Sequence, residues 1–235
     1  MTEHIGIVGC SAEGAALCYR TICLEGPALL GGHAHPEVSL HTPSLAAYTA
    51  LLERGDWQGV GELVLASADK LARVGAGFLV CPDNTLHQAW AHFEPRSPRP
   101  FLHIAEVVAG EAGRRGLSRL GLLGTRWLVE SPVYPEKLGA RGLACVLPVP
   151  SECAEVHRII MEELVRGARE PRSVAYLAQV VAEMRARGCD GVVLACTEIP
   201  LVLGDANASL PTLDSTRLLA RAALERAVHG VSGSR

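Results

Sequence analysis

The sequence predicts an α/β protein of two pseudosymmetric lobes, each with a mainly parallel sheet flanked by helices and with an active site in the cleft between them. Three observations predict it. Short apolar runs alternate with segments of helical spacing along the whole chain. The runs are apolar at nearly every position, as strands covered on both faces are. An internal echo relates the first half to the second.

The first run, His4–Cys10 (HIGIVGC), ends at a glycine and a cysteine and reads as a strand, followed by a first helix that carries Arg20. Val38–His41 reads as a second strand. Val60–Val74 has helical spacing at Val60, Leu63, Val64, Ala68 and Leu71. Gly75–Gly77 punctuates it before the strand Phe78–Cys81. Phe101–Arg115 reads as one helix, and Leu117–Thr125 contains the next strand, LGLLGT. Val133–Arg141 is a helix, Leu143–Leu147 a strand, and Ala154–Gly167 an amphipathic helix. Val174–Arg187 is helical, Gly191–Cys196 a strand, and Thr216–Val228 the last helix.

The echo pairs Ile5-Gly-Ile-Val-Gly-Cys10 with Leu120-Gly-Leu-Leu-Gly-Thr125, so that Gly6 matches Gly121 and Gly9 matches Gly124. It also pairs Leu71, Gly75 and Cys81 with Met184, Gly188 and Cys196. Gly6, Gly9 and Cys81 each lie 115 residues before their partners, whereas Gly75 and Gly188 are 113 apart, so the intervening loops differ. The expected division is residues 1–100 with 213–235 as one lobe and residues 101–212 as the other. In open α/β sheets ligands bind beyond the carboxyl ends of the strands. Cys81 and Cys196 each end a strand in this reading, and facing lobes would set them across one cleft.

Bulk properties narrow the function. The 235 residues suffice for one large domain or two small lobes, and 49% are hydrophobic. A net charge of -3 gives no basic footprint for nucleic acid. The N-terminal stretch MTEHIGIVGCSAEG lacks a signal-peptide pattern, and no apolar run approaches the length of a membrane span. A soluble cytoplasmic protein is expected, with no nucleic-acid or membrane partner. None of the eight cysteines forms a C-x-x-C pair or a zinc-finger spacing to histidine, so no metal site is expected. Most are read as small core residues with reduced thiols.

Two of them fit a reaction. Inverting an α-carbon needs a base on one face and an acid on the other, within hydrogen-bond reach of the same atom. Cysteine serves in both roles, with a reference pKa of about 8.5 that modest local shifts bring toward neutrality. No Walker-type phosphate loop is present, and the only lysines, Lys70 and Lys137, fall on predicted helices among charged residues. No cofactor is therefore expected. Charge developing beside a carboxylate falls to oriented donors, for which Asn84, Thr85, Thr125 and Thr197 stand beside the strand ends. Asn84, Thr85 and Thr197 fit helix capping equally well, and Glu198 reads either as a substrate contact or as a first-turn carboxylate. Cys10 either lines the pocket or packs in the core.

The stretch Cys81-Pro-Asp-Asn-Thr-Leu-His87 resembles the first catalytic signature of the aspartate/glutamate racemases, and Leu194-Ala-Cys-Thr-Glu-Ile-Pro-Leu201 is similar to the second. Leu120–Thr125 followed by Glu130, Val156-His-Arg-Ile-Ile160 and Leu213-Asp-Ser-Thr-Arg217 resemble further landmarks in the family's order. The resemblance runs from about residue 5 to residue 228. It implies a pyridoxal-independent, two-base amino-acid racemase with Cys81 and Cys196 as acid/base groups. It also implies a small acidic amino acid as the usual substrate and a homodimer. Cys10, Ser11, Asn84, Thr85, Thr125, Thr197 and Glu198 become the expected substrate-binding set. Two departures stand out. Pro82 and Asp83 separate Cys81 from Asn84, where the family keeps the cysteine next to Asn-Thr or one residue away. The first loop reads Gly9-Cys-Ser-Ala-Glu-Gly14 in place of a Gly-Gly-Met-Gly-like sequence, which leaves side-chain specificity open. The alternatives are another reaction on the same scaffold, such as a hydantoin racemase or a maleate-type cis–trans isomerase, and a noncatalytic carboxylate- or amino-acid-binding protein.

Overall fold

The computed structural model describes residues 2–230. The chain divides into two compact units, Met1–Ile104 with Thr216–Arg235, and Ala105–Ser215. The first unit contains β1 (Ile5–Val8), α1 (Ala12–Leu30), β2 (Val38–His41), α2 (Leu45–Leu52), α3 (Trp57–Arg73), β3 (Phe78–Val80), α4 (Trp90–Phe93) and β4 (Phe101–Leu102). Then come α5 (Ile104–Arg114), β5 (Arg119–Leu123), α6 (Arg126–Val129), α7 (Val133–Gly139), β6 (Ala144–Val146), α8 (Pro150–Arg158), α9 (Pro171–Ala186), β7 (Gly191–Leu194) and β8 (Thr212–Asp214). The last helix, α10 (Ser215–His229), returns to the first unit.

Both units carry a four-stranded, wholly parallel sheet, ordered β2-β1-β3-β4 in the first and β6-β5-β7-β8 in the second. The repeat is therefore one of topology: β5 takes the place of β1, and β7 that of β3. The central strands β1, β3 and β7 are buried along their whole length, which accounts for their unbroken apolar sequences.

The glycine echo has a packing cause. A methyl group on Gly6 would lie 3.3 Å from Leu71 Cβ on α3, and one on Gly121 would lie 3.3 Å from Met184 Cβ on α9. In each unit a strand glycine thus lets a helix side chain settle on the sheet. Both helices then turn into the next strand through a left-handed glycine, Gly75 at φ 97° and Gly188 at φ 85°, where a side chain would be strained. Asp56 caps α3 by accepting from Gly59 N at 2.8 Å, and Lys70 and Arg73 complement its last turn.

Several elements differ from the sequence expectation. The region expected as one helix over 101–115 is a two-residue strand followed by α5: Pro100 sits in extended chain, its carbonyl accepts from Leu79 N at 2.9 Å, and Phe101 joins the sheet edge. The expected helix over 154–167 begins earlier, with Pro150 in its first turn, and Glu152 accepts from Val149 N at 2.8 Å. It then widens into a π turn at Ile159–Glu163 and tightens at Leu164–Arg166. Helix α2 and strand β8 were not anticipated. Among the described residues, no helix is long and apolar enough to cross a membrane.

Candidate active site

In the first unit, parallel pairing brings the carboxyl ends of β1, β2 and β3 to one edge. Val8 is in register with His41, Ile7 with Val80, and Gly9 N donates to His41 O at 2.9 Å. Cys10 and Ser11 follow β1, and Cys81 follows β3. Cys10 is buried, and Ser11 Oγ accepts from Gly14 N at 3.2 Å, so this serine caps α1. Cys81 is fully buried. Burial pushes its thiol up, the charge of Asp83 adds to that, the Asp83 N–H partly offsets it, and Cys18 adds a smaller upward push.

Of the two residues between Cys81 and Asn84, Asp83 has a structural job. Asp83 Oδ1 accepts from Leu86 N at 3.1 Å, and the Asp83 carbonyl accepts from His87 Nδ1 at 2.8 Å. Asp83 thus caps the tight turn Thr85–Ala89, while the side chain of Asn84, at the N-cap position, makes no capping bond. Asn84 and Thr85 are both buried beside Cys81 in sequence. His87 is fixed as a neutral ring: Nδ1 donates to Asp83 O, and Nε2 accepts from Ile104 N at 3.3 Å. It stacks on Trp90 at 5.6 Å and tilts against His103 at 4.7 Å, which makes it part of the scaffold.

In the second unit, Thr125 follows β5 and Cys196 follows β7. Ala195 N donates to Leu123 O at 2.7 Å, prolonging the ladder to the residue before Cys196. The Cys196 thiol donates to Glu198 Oε2 at 3.0 Å, and Thr197 Oγ1 donates to the same oxygen at 2.7 Å. All three residues are buried, so this carboxylate bonds the thiol and the hydroxyl out of bulk water. Thr125 occupies the N-cap position of α6 without capping it. Behind β7, Ser215 Oγ donates to Leu194 O at 2.9 Å, a contact supplied by the Leu213–Arg217 stretch.

A carboxylate stands two residues after the cysteine in both units, Asp83 after Cys81 and Glu198 after Cys196. The two are used differently. Asp83 Oδ1 is bonded to the backbone, whereas Glu198 Oε2 bonds the thiol.

The expected residues thus fall into two groups, with Cys10, Ser11, Cys81, Asn84 and Thr85 in the first unit and Thr125, Cys196, Thr197 and Glu198 in the second. Other residues noted in the sequence have structural partners. Arg158 pairs with Glu155 at 2.7 Å and Glu163 at 2.9 Å. His157 Nδ1 accepts from Arg126 N at 3.2 Å, and its ring meets Trp127 edge-on. Burial and the Arg126 charge lower the His157 pKa, partly offset by Glu130 and Glu162. Arg20 lies with Thr21, Glu25 and Arg217 around a surface cavity of about 190 Å³. Tyr48, a fully buried tyrosine on α2, was not singled out in the sequence; burial raises its hydroxyl pKa, the charges of Cys81, Cys10 and Asp83 add to that, and a hydrogen bond with Ser67 partly offsets it. Its segment, LAAYTALL, is apolar but for Thr49 and the tyrosine hydroxyl, and carries no motif. Among the described residues, no group of three or more His, Cys, Asp or Glu side chains could hold a metal ion.

Residues 7–223 match the model of the Asp/Glu/Hydantoin racemase family. A Yersinia pestis protein assigned to the Asp/Glu racemases has a structure that superposes with a TM-score of 0.88 at 31% identity, covering 97% of this chain and 100% of that one. An aspartate racemase homologue from Pyrococcus horikoshii OT3 superposes with a TM-score of 0.82 at 26% identity, covering 97% and 99% of the two chains. The broad specificity amino-acid racemase RacX of Bacillus subtilis (strain 168) is 24% identical over 169 residues, 71% of each chain.

Proposed function

Because the chain belongs to the Asp/Glu/Hydantoin racemase family, we propose that it is a cofactor-independent amino-acid racemase with Cys81 and Cys196 as its two acid/base groups. The observation that carries this reading is the buried Cys196 thiol bonded to Glu198 at the end of β7, repeated in outline by a second buried cysteine at the end of β3. In the proposed reaction one cysteine, as thiolate, takes the α-proton. The electron pair left on the α-carbon delocalises into the substrate carboxylate, and the other cysteine, as thiol, delivers a proton to the opposite face. The roles exchange for the other enantiomer. Asn84, Thr85, Thr125 and Thr197 supply the donors that hold the carboxylate as its charge grows, with Cys10 and Ser11 shaping the side-chain pocket. Glu198 keeps a hydrogen-bond acceptor beside the Cys196 thiol.

The substrate is an acidic or other small amino acid. The likeness to an aspartate racemase homologue supports the acidic side chain, and the likeness to a broad specificity racemase supports a wider range. We read the active form as a cytoplasmic homodimer, on the family resemblance.

The test is incubation of single enantiomers, from a panel of amino acids, in deuterium oxide without added pyridoxal phosphate. Interconversion with deuterium at the α-carbon is expected, and Cys81→Ser and Cys196→Ser should each abolish it. The absence of α-exchange across the panel would overturn the reading. Exchange confined to 5-substituted hydantoins would replace the amino acid as substrate and keep the two thiols.

A further inference from the structure

We propose that the outward face of α1 is the contact between two copies of this chain, the two helices packed antiparallel across a twofold axis over Ala16 and Leu17. The inference rests on the homodimer reading above and names the surface that makes the dimer.

Helix α1 has the composition of a helix covered on both sides. A surface helix buries one face and carries charged or polar side chains on the other. Helix α3 follows that rule: its exposed residues are Glu62, Ala66, Asp69, Lys70 and Arg73, four of the five charged. Among the 19 residues of α1 only Glu13, Arg20 and Glu25 are charged, and Glu25 is held by Arg221 at 2.7 Å. Its inner residues, among them Ala15, Cys18 and Ile22, are buried, yet Ala12, Ala16, Tyr19, Leu24, Ala28 and Leu29 are exposed. Leu24 is 70% exposed and Tyr19 44%. A continuous apolar face left in water marks a site of association.

The two remaining charges say which partner fits. Glu13 and Arg20 are both exposed, and neither makes an ion pair among the described residues. They stand seven residues apart, two turns and about 10.5 Å along one face. A twofold axis lying across the helix midway between them reverses their order. Glu13 of one copy then meets the partner's Arg20, and Arg20 meets the partner's Glu13. An isologous contact needs a patch that complements itself, and an acid and a base at equal distances from the axis supply one. Between them Ala16 carries only a methyl group, which lets the two backbones approach closely.

Tyr19 and Leu24 complete the patch. At 100° per residue, Leu24 falls on the same flank as Glu13 and Arg20, and Tyr19 on the other, near the axis. The two copies of the Tyr19 ring therefore meet across that axis. Withdrawing these rings and leucines from water drives the association. The charge pairs fix its register and orientation.

The experiment is sedimentation velocity of the full chain over a micromolar concentration series, with circular dichroism to show that each variant is folded. Wild type is expected to dimerise. Glu13→Arg and Arg20→Glu each set two like-charged pairs in the contact and should weaken it at least about tenfold. The double reversal re-forms both pairs with their signs exchanged and should return to within about threefold of wild type. Ala16→Arg places two guanidinium groups on the axis and should sediment as a monomer. Single reversals that dimerise like wild type, a double reversal no tighter than the singles, or a dimeric Ala16→Arg would overturn the proposal and put the dimer on another face. A monomeric wild type would overturn this proposal and the homodimer reading together. No readout involves substrate, so a failure of α-proton exchange would sink the racemase reading and leave this result separate.

Discussion

Cys196 Sγ and Glu198 Oε2 are hydrogen-bonded at 3.0 Å, and the hydroxyl of the intervening Thr197 converges on that same oxygen at 2.7 Å. One buried oxygen thus accepts from two neighbouring donors, one of them the proposed acid/base. The threonine holds the carboxylate in place, and the carboxylate sets where the thiol proton points.

Replacing the carboxylate with an amide tests this. Glu198→Gln keeps the shape and one acceptor oxygen but removes the charge. We expect kcat/KM for racemisation to fall about 100-fold, in the range of lost acid–base assistance, with an unchanged far-ultraviolet circular dichroism spectrum. Activity within twofold of wild type would show that Glu198 serves only to anchor its loop.

The buried thiols predict an alkaline limit to stability. Burial pushes Cys18 from 9.0 up to about 12 and Cys145 to about 11, and it pushes Cys81 upward as well. The folded protein therefore keeps protons that the unfolded chain releases above pH 9. The stabilisation is complete below that pH and is lost as pH rises toward the folded-state values. Each such group steepens the decline by up to about 1.4 kcal/mol per pH unit. Urea unfolding at a series of pH values should show stability falling above pH 9, with a shallower slope in Cys18→Ala. Equal slopes in the two proteins would refute this assignment.

The two matched glycines should not tolerate alanine equally. On Gly6, a methyl group would come within 2.9 Å of Ala76 Cβ, which has no torsion to relieve the clash. On Gly121, the new methyl meets the flexible end of Met184, whose thioether can swing aside. Overpacking costs about 1–3 kcal/mol, and we expect Gly6→Ala near the top of that span and Gly121→Ala near the bottom. Denaturant midpoints will rank them. The reverse order would mean that Met184 is held more tightly than its side-chain torsions imply.

Much of this architecture could be read from residues that the fold constrains along their whole length. Strands β1, β3, β5 and β7 are nearly continuous apolar runs because both faces are covered, and the echo of Gly6 in Gly121 follows from the same helix-on-strand contact in both units. The cysteine motifs were equally visible. What stayed hidden depends on partners distant in sequence. Strand β4 has two residues, too few for a period, and is held in place by Leu79 and Val80. His87 owes its neutral, fixed ring to Ile104 N, 17 residues away. Tyr48 lies in a mostly apolar helix with no pattern of its own, and only the fold shows that it is fully buried. Asp83 looked like an insertion in a motif, and its use as a cap shows only once the following turn is in place.

The return of α10 to the first unit bears on how the chain is made. Glu3 N donates to Ala227 O at 2.8 Å, Arg226 stands 4.3 Å over the ring of Phe78, and Arg221 pairs with Glu25 at 2.7 Å. The unit whose strands come first in the chain is thus finished by residues that follow the whole second unit, while that second unit has all its strands beforehand. Synthesis order and completion order are inverted. During that interval the apolar surface awaiting α10 is uncovered on the nascent first half, and this is the state most in need of protection from aggregation.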